Sequence, residues 1–196
     1  MKAVVFHSLG KISVDEVQTP LSLDDSIVVK VKAAAICATD LRIFKGERSA
    51  KENVIMGHEF SGEVVNVGSN VKDFEVGDKV AVYPILADGK CDFCLKGFRN
   101  RCVNRKTLGI DVNGGFSEFF QPAPEMVKLG HIMKLPENVS FEEAALLEPI
   151  STVVNSLERL NVGLGDNILV VGAGPMGLLH VMLAKYRGAS NIIVSD

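Results

Sequence analysis

The sequence lacks a long apolar run, an excess of basic residues, an internal repeat and a low-complexity segment. Its first residues, MKAVVFHSLGKISVDEV, turn polar and acidic before an apolar stretch reaches the length of a signal peptide. No later stretch approaches the roughly 20 apolar residues that a membrane span needs. Lys and Arg number 21 against 24 Asp and Glu and are scattered, which disfavours nucleic acid or an acidic membrane as a partner. We therefore expect a cytoplasmic protein that binds neither.

Cysteine is scarce as well, with four residues in 196: Cys37, Cys91, Cys94 and Cys102. A reducing cytoplasm disfavours a disulfide framework for them. An even number of cysteines in a longer chain without an export signal is instead typical of metal ligands. We interpret the four thiols as metal ligands.

The first two thirds of the chain predict short strands separated by turns. Up to about residue 135, apolar and β-branched runs alternate with Gly, Asn, Asp and Pro. The clearest predicted strands are 27–35, 62–67 and 79–83. Many short strands separated by turn residues indicate a β-barrel or a sandwich.

The pattern changes near Ser140. Ser140 and Glu143 form a capping box, and an apolar-periodic helix follows through residue 160, interrupted by Pro149. We place the boundary in this helix and predict two domains, 1–150 and 151–196.

The last part predicts a strand at 167–171, a helix from 175 to about 187 and a strand at 191–195. This is the first β-α-β of a Rossmann domain, which normally has several more strands and helices. The predicted fold class is therefore α/β, mainly β at first, with a truncated Rossmann domain after it. Because apolar surface would stay open, we expect self-association or disorder after residue 162. The exposed face would be Ile168, Leu169, Val170, Ile192 and Ile193.

A thiol and an imidazole stand about twenty residues apart in the β-rich part, at Cys37 and His58. Both are good zinc ligands, and a catalytic zinc uses three protein ligands and one open position. Glu148 is the candidate third ligand, with Glu59 as the alternative. Asp40 would hold a ligand imidazole in one tautomer. The Thr39 hydroxyl would accept and pass on the substrate proton.

A glycine pattern, G-x-G-x-x-G, lies directly between the strand at 167–171 and the helix after it. This context indicates a dinucleotide turn, in which helix-terminal amides face the pyrophosphate. Asp196 ends the next strand, where an acid binds the ribose hydroxyl and repels a 2'-phosphate, which favours NAD over NADP. A plain tight turn in a flavin or other nucleotide fold is the alternative. The predicted cofactor residues are Gly172, Gly174, Pro175, Met176, Gly177 and Asp196.

Three motifs together resemble the zinc-containing medium-chain dehydrogenases: C-x-T-D at 37–40, G-H-E-x-x-G-x-V-x-x-V-G at 57–68 and V-G-D-x-V at 76–80. The resemblance covers the whole chain and implies a GroES-like barrel as the catalytic domain. It also implies that Cys37 and His58 bind catalytic zinc. Glu148-Pro149 is similar to the sorbitol and polyol branch of the family.

The same resemblance implies a structural zinc in a segment we call the cysteine lobe, residues 88–102. The family has four cysteines there, and this chain fits if Asp88 takes the first ligand place beside Cys91, Cys94 and Cys102. A metal-free lobe with three free thiols is the alternative. Two departures from the family are Ala38 in place of Gly and Arg42 in place of a relay His. Because a guanidinium cannot act as a base near neutral pH, the proton must leave through Thr39 and water, or through a cofactor hydroxyl.

We therefore expect a zinc-dependent, NAD-using alcohol or polyol dehydrogenase that is a homo-oligomer when intact. The 196-residue form is expected to be inactive by itself, since most of the cofactor domain would be missing. Two alternatives stay open: a truncated, non-catalytic zinc-binding barrel, and a metal-free relative of the quinone-reductase type. The sequence does not identify the alcohol.

Overall fold

The structure is a computed structural model that describes residues 1–21 and 23–196. Most of the strands are short, as the frequent turn residues of the sequence predict. Within the described residues the strands are β1 (Lys2–Ser8), β2 (Lys11–Glu16), β3 (Ile27–Ala35), β4 (Val54–Ile55), β5 (Glu59–Val67), β6 (Lys79–Val82), β7 (Ile85–Leu86), β8 (Lys106–Thr107), β9 (Phe119–Phe120), β10 (Ile132–Lys134), β11 (Asn167–Val171) and β12 (Asn191–Ser195).

The helices are mostly short as well, and the two longest come late in the chain. They are α1 (Ala38–Phe44), α2 (Asp92–Leu95), α3 (Pro124–Lys128), α4 (Phe141–Ala145), α5 (Leu147–Arg159) and α6 (Pro175–Tyr186), with a 3₁₀ turn at Arg99–Arg101. Across the described part of the chain, no helix has both the length and the apolar character needed to cross a membrane. The chain divides into two compact units, Met1–Leu146 and Leu147–Asp196.

The helix predicted after Ser140 is interrupted in the turn before Pro149, as the sequence predicts, because a proline cannot donate to the carbonyl four residues earlier. The capping box is present, with Ser140 Oγ accepting from the Glu143 amide at 3.1 Å. The helix is interrupted at Leu146, which is the C-cap of α4. Pro149 lies in the first turn of α5, where a missing amide N–H costs no helical hydrogen bond.

The first unit is built around a five-stranded sheet in the order β10-β6-β5-β3-β9, in which all neighbours are antiparallel. Its longest pair is β3 with β5, from Ile27 opposite Val67 to Ala35 opposite Glu59. Alternate residues of these strands point into one apolar core, which includes Ile27, Val29, Phe60 and Val64. The sheet therefore fixes the two points where the metal-ligand candidates lie, just after β3 and just before β5.

The first unit also contains a smaller sheet, in the order β2-β1-β4. Strand β4 pairs with β1, where Val5 lies opposite Ile55. A second apolar cluster links this sheet to α1, and its buried members are Phe6, Ile43, Val54, Met56 and Ile110. Helix α1 is thus held by buried Ile43 beside the segment that leads into His58.

The second unit has a parallel pair of strands, β11 and β12, in register from Asn167 opposite Asn191 to Val171 opposite Ser195. Helices α5 and α6 cover one face, and Val153, Leu157, Val162 and Ala184 are buried there. The prediction of a mainly β part followed by strand, helix and strand is confirmed.

The prediction of which apolar residues are exposed in the second unit was only partly right. Ile168 and Ile192 pack against the helices, and Val170 is buried. Leu169 and Ile193 are each 64% exposed, because successive side chains of a strand point to opposite faces. Val171 and Val194 are exposed as well, at 81% and 43%, so the open apolar surface differs from the predicted set of five residues.

Candidate functional site

Cys37 lies in the turn between β3 and α1, where it is the N-cap residue of the helix with extended backbone angles. Its amide N–H donates to Asp40 Oδ2 at 2.9 Å. The Asp40 amide donates back to the Cys37 carbonyl at 3.0 Å. These two bonds fix the Cys37 backbone, and with it the direction in which the thiol leaves the chain.

His58 and Glu59 lie where the chain enters β5, and the backbone just before them is held by glycines. Gly57 has a positive φ of 91°, a region that favours glycine. A Cβ on Gly109 would lie 2.7 Å from the Gly57 nitrogen, and one on Gly114 would lie 1.9 Å from its carbonyl oxygen. Main chain thus packs directly on main chain next to His58, which leaves this segment little room to shift.

Cys37, His58 and Glu59 come together in one cluster. One ligand atom from each lies within 4.8 Å of the others. His58 and Glu59 are buried, and Cys37 is half-buried. Zinc ligands at roughly 2.0–2.3 Å from the metal in a tetrahedron stand about 3.5 Å apart, so small side-chain movements would complete such a site. A thiol, an imidazole and a carboxylate are a donor set that fits zinc.

A second observation supports a metal here. Asp40 Oδ1 and His58 Nδ1 lie 3.7 Å apart, both buried and both without a hydrogen-bond partner among the described residues. An imidazole that directs Nδ1–H towards a carboxylate presents a lone pair on Nε2 to a metal. Asp40 is therefore placed to set the tautomer of His58.

Burial controls the ionisation of the groups around this cluster. It raises the pKa of the Cys37 thiol, while hydrogen bonds from Thr39 act in the opposite direction. It also raises the pKa of Asp40, against the opposing effects of the Cys37 amide and the His58 ring. Without a metal the thiol is thus held in its neutral form, and a bound cation would favour the thiolate.

Thr39 and Arg42 lie three residues apart on α1, so their side chains leave neighbouring positions of the helix. Thr39 is half-buried and Arg42 is exposed. The opposite side of the helix carries Asp40 and Ile43, which are buried. The hydroxyl and the guanidinium are therefore polar groups of α1 that solvent and small ligands can reach.

The cysteine lobe brings its four predicted ligands together. Ligand atoms of Asp88, Cys91, Cys94 and Cys102 lie within 4.8 Å of one another. Cys94 and Cys102 are 8% and 3% exposed, and Cys91 Sγ lies 3.5 Å from Cys94 Sγ. Three converging thiols and a carboxylate fit a closed tetrahedral zinc site, which leaves no place for a substrate.

Asp88 already has a structural role in the lobe. Its Oδ1 accepts from the amides of Lys90 at 2.9 Å and Cys91 at 3.0 Å, and its Oδ2 accepts from Asn104 at 2.8 Å. A carboxylate offers about four lone-pair positions, so Oδ2 can still bind a metal. The motif gave no sign of Asn104, because its bond to Asp88 depends on how the loop returns after Cys102.

Hydrogen bonds and burial shift the pKa values of the lobe's ionisable groups in different directions. Amide N–H groups of Cys94 and Val103 lower the pKa of Cys91. Burial raises the pKa of the Cys94 thiol to about 12. The amides of Lys90 and Cys91 hold the pKa of Asp88 well below its usual range. Asp88 is thus an anion at neutral pH, as a metal ligand must be.

Glu148 belongs to the second unit, where it lies in the first turn of α5. Its backbone carbonyl accepts a hydrogen bond from Ser151 Oγ at 2.7 Å. A part for its carboxylate in binding zinc stays a prediction.

The glycine turn has the local geometry that the pattern predicts. Gly172 has φ of 101°, and Gly174 is the N-cap of α6, with Pro175 at the first helical position. A Cβ on Gly177 would lie 1.9 Å from the Gly172 carbonyl oxygen, so close packing of the helix on the turn requires glycine. Met176, in the first turn of the helix, is 40% exposed.

Asp196 lies beside this turn. Its Oδ1 accepts from the Ala173 amide at 2.9 Å, and the Gly172 amide donates to the Ser195 carbonyl at 2.7 Å. The turn and the carboxylate therefore lie at the same edge of the parallel pair, where a dinucleotide binds in an α/β sheet.

Comparison with known proteins gives consistent matches. The alcohol dehydrogenase GroES-like domain family matches residues 23–137, more than half of the chain. Sorbitol dehydrogenase from Bacillus subtilis is 36% identical over the whole chain, which covers 56% of that protein. The chain thus spans about half the length of this relative.

Solved structures agree with these matches. Galactitol-1-phosphate dehydrogenase from Escherichia coli has a TM-score of 0.89 at 31% identity, over 99% of this chain and 55% of that one. A protein described as a short chain alcohol dehydrogenase, from E. coli CFT073 and complexed with NADH, has a TM-score of 0.91 at 34% identity, over 100% and 56%. Both similarities extend across the strands and the glycine turn.

Proposed function

Because the chain belongs to the alcohol dehydrogenase family with a GroES-like domain, we propose that it carries the metal and proton-transfer groups of a zinc-dependent dehydrogenase. The reaction would move a hydride between an alcohol or polyol and NAD. The cluster of Cys37, His58 and Glu59 carries this proposal, since it supplies the donors of a catalytic zinc. The similarity to sorbitol and galactitol-1-phosphate dehydrogenases supports a polyol-type substrate.

Different residues of this chain would bind the metal and transfer the proton. When bound, zinc supplies a Lewis acid that lowers the pKa of an alcohol. Cys37 and His58 would hold it, with Glu59 or Glu148 as the carboxylate ligand. Thr39 would take the alcohol proton on its hydroxyl oxygen and pass its own proton to water or to a cofactor hydroxyl. Arg42 would contribute charge but no proton transfer.

We assign residues 1–150 to the catalytic domain and 151–196 to the NAD-binding Rossmann domain. Gly172, Gly174 and Gly177 would let the pyrophosphate approach the amides at the start of α6. The Asp196 carboxylate would accept from the ribose hydroxyls and disfavour NADP. A homo-oligomer and a cytoplasmic location are further parts of this proposal.

The direct test combines metal analysis with an NADH-forming assay on sorbitol and related polyols. A protein completed to the length of its relatives should hold zinc, and it should reduce NAD with at least one polyol. A preparation that binds zinc without turnover on alcohols or polyols would instead support the non-catalytic alternative. A metal-free preparation with activity would support a relative of the quinone-reductase type.

Cys94→Ser is expected to remove the zinc of the cysteine lobe and to leave the metal at Cys37 and His58 in place. A hydroxyl is a much weaker zinc ligand than a thiolate, and the lobe should then loosen. Zinc content per chain and hydrogen exchange of residues 88–102 measure the two effects. Leu95→Ala, at a 74% exposed position of the same short helix, is the matched control. Unchanged zinc content in Cys94→Ser would contradict the site.

NAD is expected to bind the 196 residues by themselves only weakly, with a Kd above about 1 mM. The second unit supplies a pyrophosphate turn and Asp196 but only two strands, so few groups face the rest of the dinucleotide. Calorimetric titration measures the affinity. A chimera completed with the remaining sequence of the B. subtilis relative is the positive control. Micromolar binding by the 196 residues would show that the second unit is a sufficient site.

A further inference from the structure

The cysteine lobe holds three thiols close together, with their Sγ atoms within 4.8 Å of one another. The Sγ atoms of Cys91 and Cys94 lie 3.5 Å apart. Cys91 is half-exposed, whereas Cys94 and Cys102 are buried. The solvent-accessible thiol of Cys91 therefore lies beside the buried thiol of Cys94.

We propose that Cys91 and Cys94 are an oxidation site, at which hydrogen peroxide forms a reversible disulfide that excludes zinc from the lobe. The inference depends on the arrangement of this lobe alone. The proposed oxidation does not depend on the dehydrogenase activity proposed above.

The lobe is already shaped for this bond. A disulfide needs its sulfurs about 2.05 Å apart, so the two Sγ atoms must close by only about 1.5 Å. Cys91 is the N-cap of α2 and Cys94 lies within that helix, so the turn between them is fixed. Asp88 accepts from the amide of Cys91, which holds the start of the helix through protein groups.

Cys102 is the less suitable partner. Its Sγ accepts from the Asp88 amide at 3.3 Å, and it lies on the far side of the 3₁₀ turn from α2. A bond to Cys102 would shift the sulfur that accepts this hydrogen bond and would link two segments of the loop. Bonding between Cys91 and Cys94 changes one helical turn only.

The chemistry balances with peroxide as the oxidant. The Cys91 sulfur, as thiolate, attacks one peroxide oxygen, the O–O bond breaks, and hydroxide leaves with the electron pair. Cys91 is then a sulfenic acid. The Cys94 sulfur attacks the Cys91 sulfur, the S–O bond breaks, and water leaves after taking the Cys94 proton. Two thiols have lost two electrons, and the peroxide has been reduced to water.

Zinc and the disulfide exclude each other, because the bond consumes two of the four ligands. Zinc in the lobe should therefore slow the oxidation, and oxidation should abolish zinc binding until a reductant restores the thiols. The two events compete because both use the sulfur atoms of Cys91 and Cys94.

The test uses the protein as purified, in a chelated and in a zinc-loaded form. Each form is treated with hydrogen peroxide, alkylated and digested with trypsin. Cleavage after Lys90, Lys96, Arg101 and Arg105 puts Cys91 and Cys94 in one peptide, 91–96, and Cys102 in another, 102–105. The chelated form should give an unalkylated 91–96 peptide that has lost two hydrogens, and an alkylated 102–105 peptide.

Zinc loading should slow the formation of this product by at least roughly tenfold. Cys102→Ser should still form the bond, whereas Cys94→Ser should stop at a sulfenic acid that dimedone traps. Peptides 91–96 and 102–105 found joined, Cys91 oxidised to sulfinic acid without a disulfide, or equal rates with and without zinc would each overturn the proposal. The Cys102→Ser result keeps the test valid if Cys94→Ser does not fold.

Discussion

Cys37→Ser is expected to remove the catalytic zinc and to lower kcat/KM by at least about 1,000-fold in the protein completed to the length of its relatives. The buried cluster would keep an imidazole and a carboxylate, but it would lose its thiolate ligand. Zinc in the cysteine lobe should stay, because Asp88 and its three cysteines do not contact Cys37 through any described bond. Metal analysis and NADH formation measure the two effects together.

Ala38→Gly is the matched control for this variant. Ala38 is exposed and adjacent to Cys37, and many members of the family have glycine at that position. The Ala38→Gly variant should keep both its zinc and its activity. Full activity in Cys37→Ser would refute the assignment of Cys37 as a ligand, even if the protein still contained zinc at the lobe.

Gly114→Ala should cost about 3 kcal/mol of folding stability and shift Tm down by roughly 6–12 °C. The added methyl group would lie 1.9 Å from the Gly57 carbonyl oxygen and 2.7 Å from that of Met56. Neither backbone oxygen can rotate away as a side chain would. The clash should also displace His58, so zinc content should fall with stability.

Gly163→Ala is the control for that clash, because a Cβ there would meet nothing within 4 Å. Its stability should change by no more than about 0.5 kcal/mol. Thermal and urea unfolding of the two variants beside the unchanged protein give the comparison. Equal stability of Gly114→Ala and the unchanged protein would mean that the loop at Gly114 moves easily away from Gly57.

Local patterns predicted the elements well where one face is buried. Apolar and β-branched residues between turn residues gave the strand Ile27–Ala35 with its observed bounds. Pro149 located the helix break to within a turn, at Leu146, because proline ends one helix before it and is tolerated in the first turn of the next. The exposed face of the second unit was misjudged, since five apolar residues in a short parallel pair cannot share one face.

The candidate sites were predictable as sets of residue types but not as geometry. Cysteine spacing and the G-H-E motif led to residues that do lie together at Cys37, His58 and Glu59. Nothing in the sequence indicated that Asp88 caps its own loop or that Asn104 holds it. The bond from Asn104 joins residues 16 positions apart, so it depends on how the loop closes. The cofactor, the third zinc ligand and the oligomeric state stay predictions.

The glycine contacts around Gly57 have a consequence for how this protein can vary. Gly109 and Gly114 touch the main chain of Gly57, and neither supplies a group to the metal cluster. The ligand side chains could be exchanged for other donors without disturbing these contacts between glycines. A β-carbon at Gly109 or Gly114, in contrast, would collide with the main chain of Gly57. In a saturation library, we therefore expect more folded variants with substitutions at the metal ligands than with even alanine at Gly109 or Gly114. The freedom to alter the chemistry is limited by residues that take no part in it.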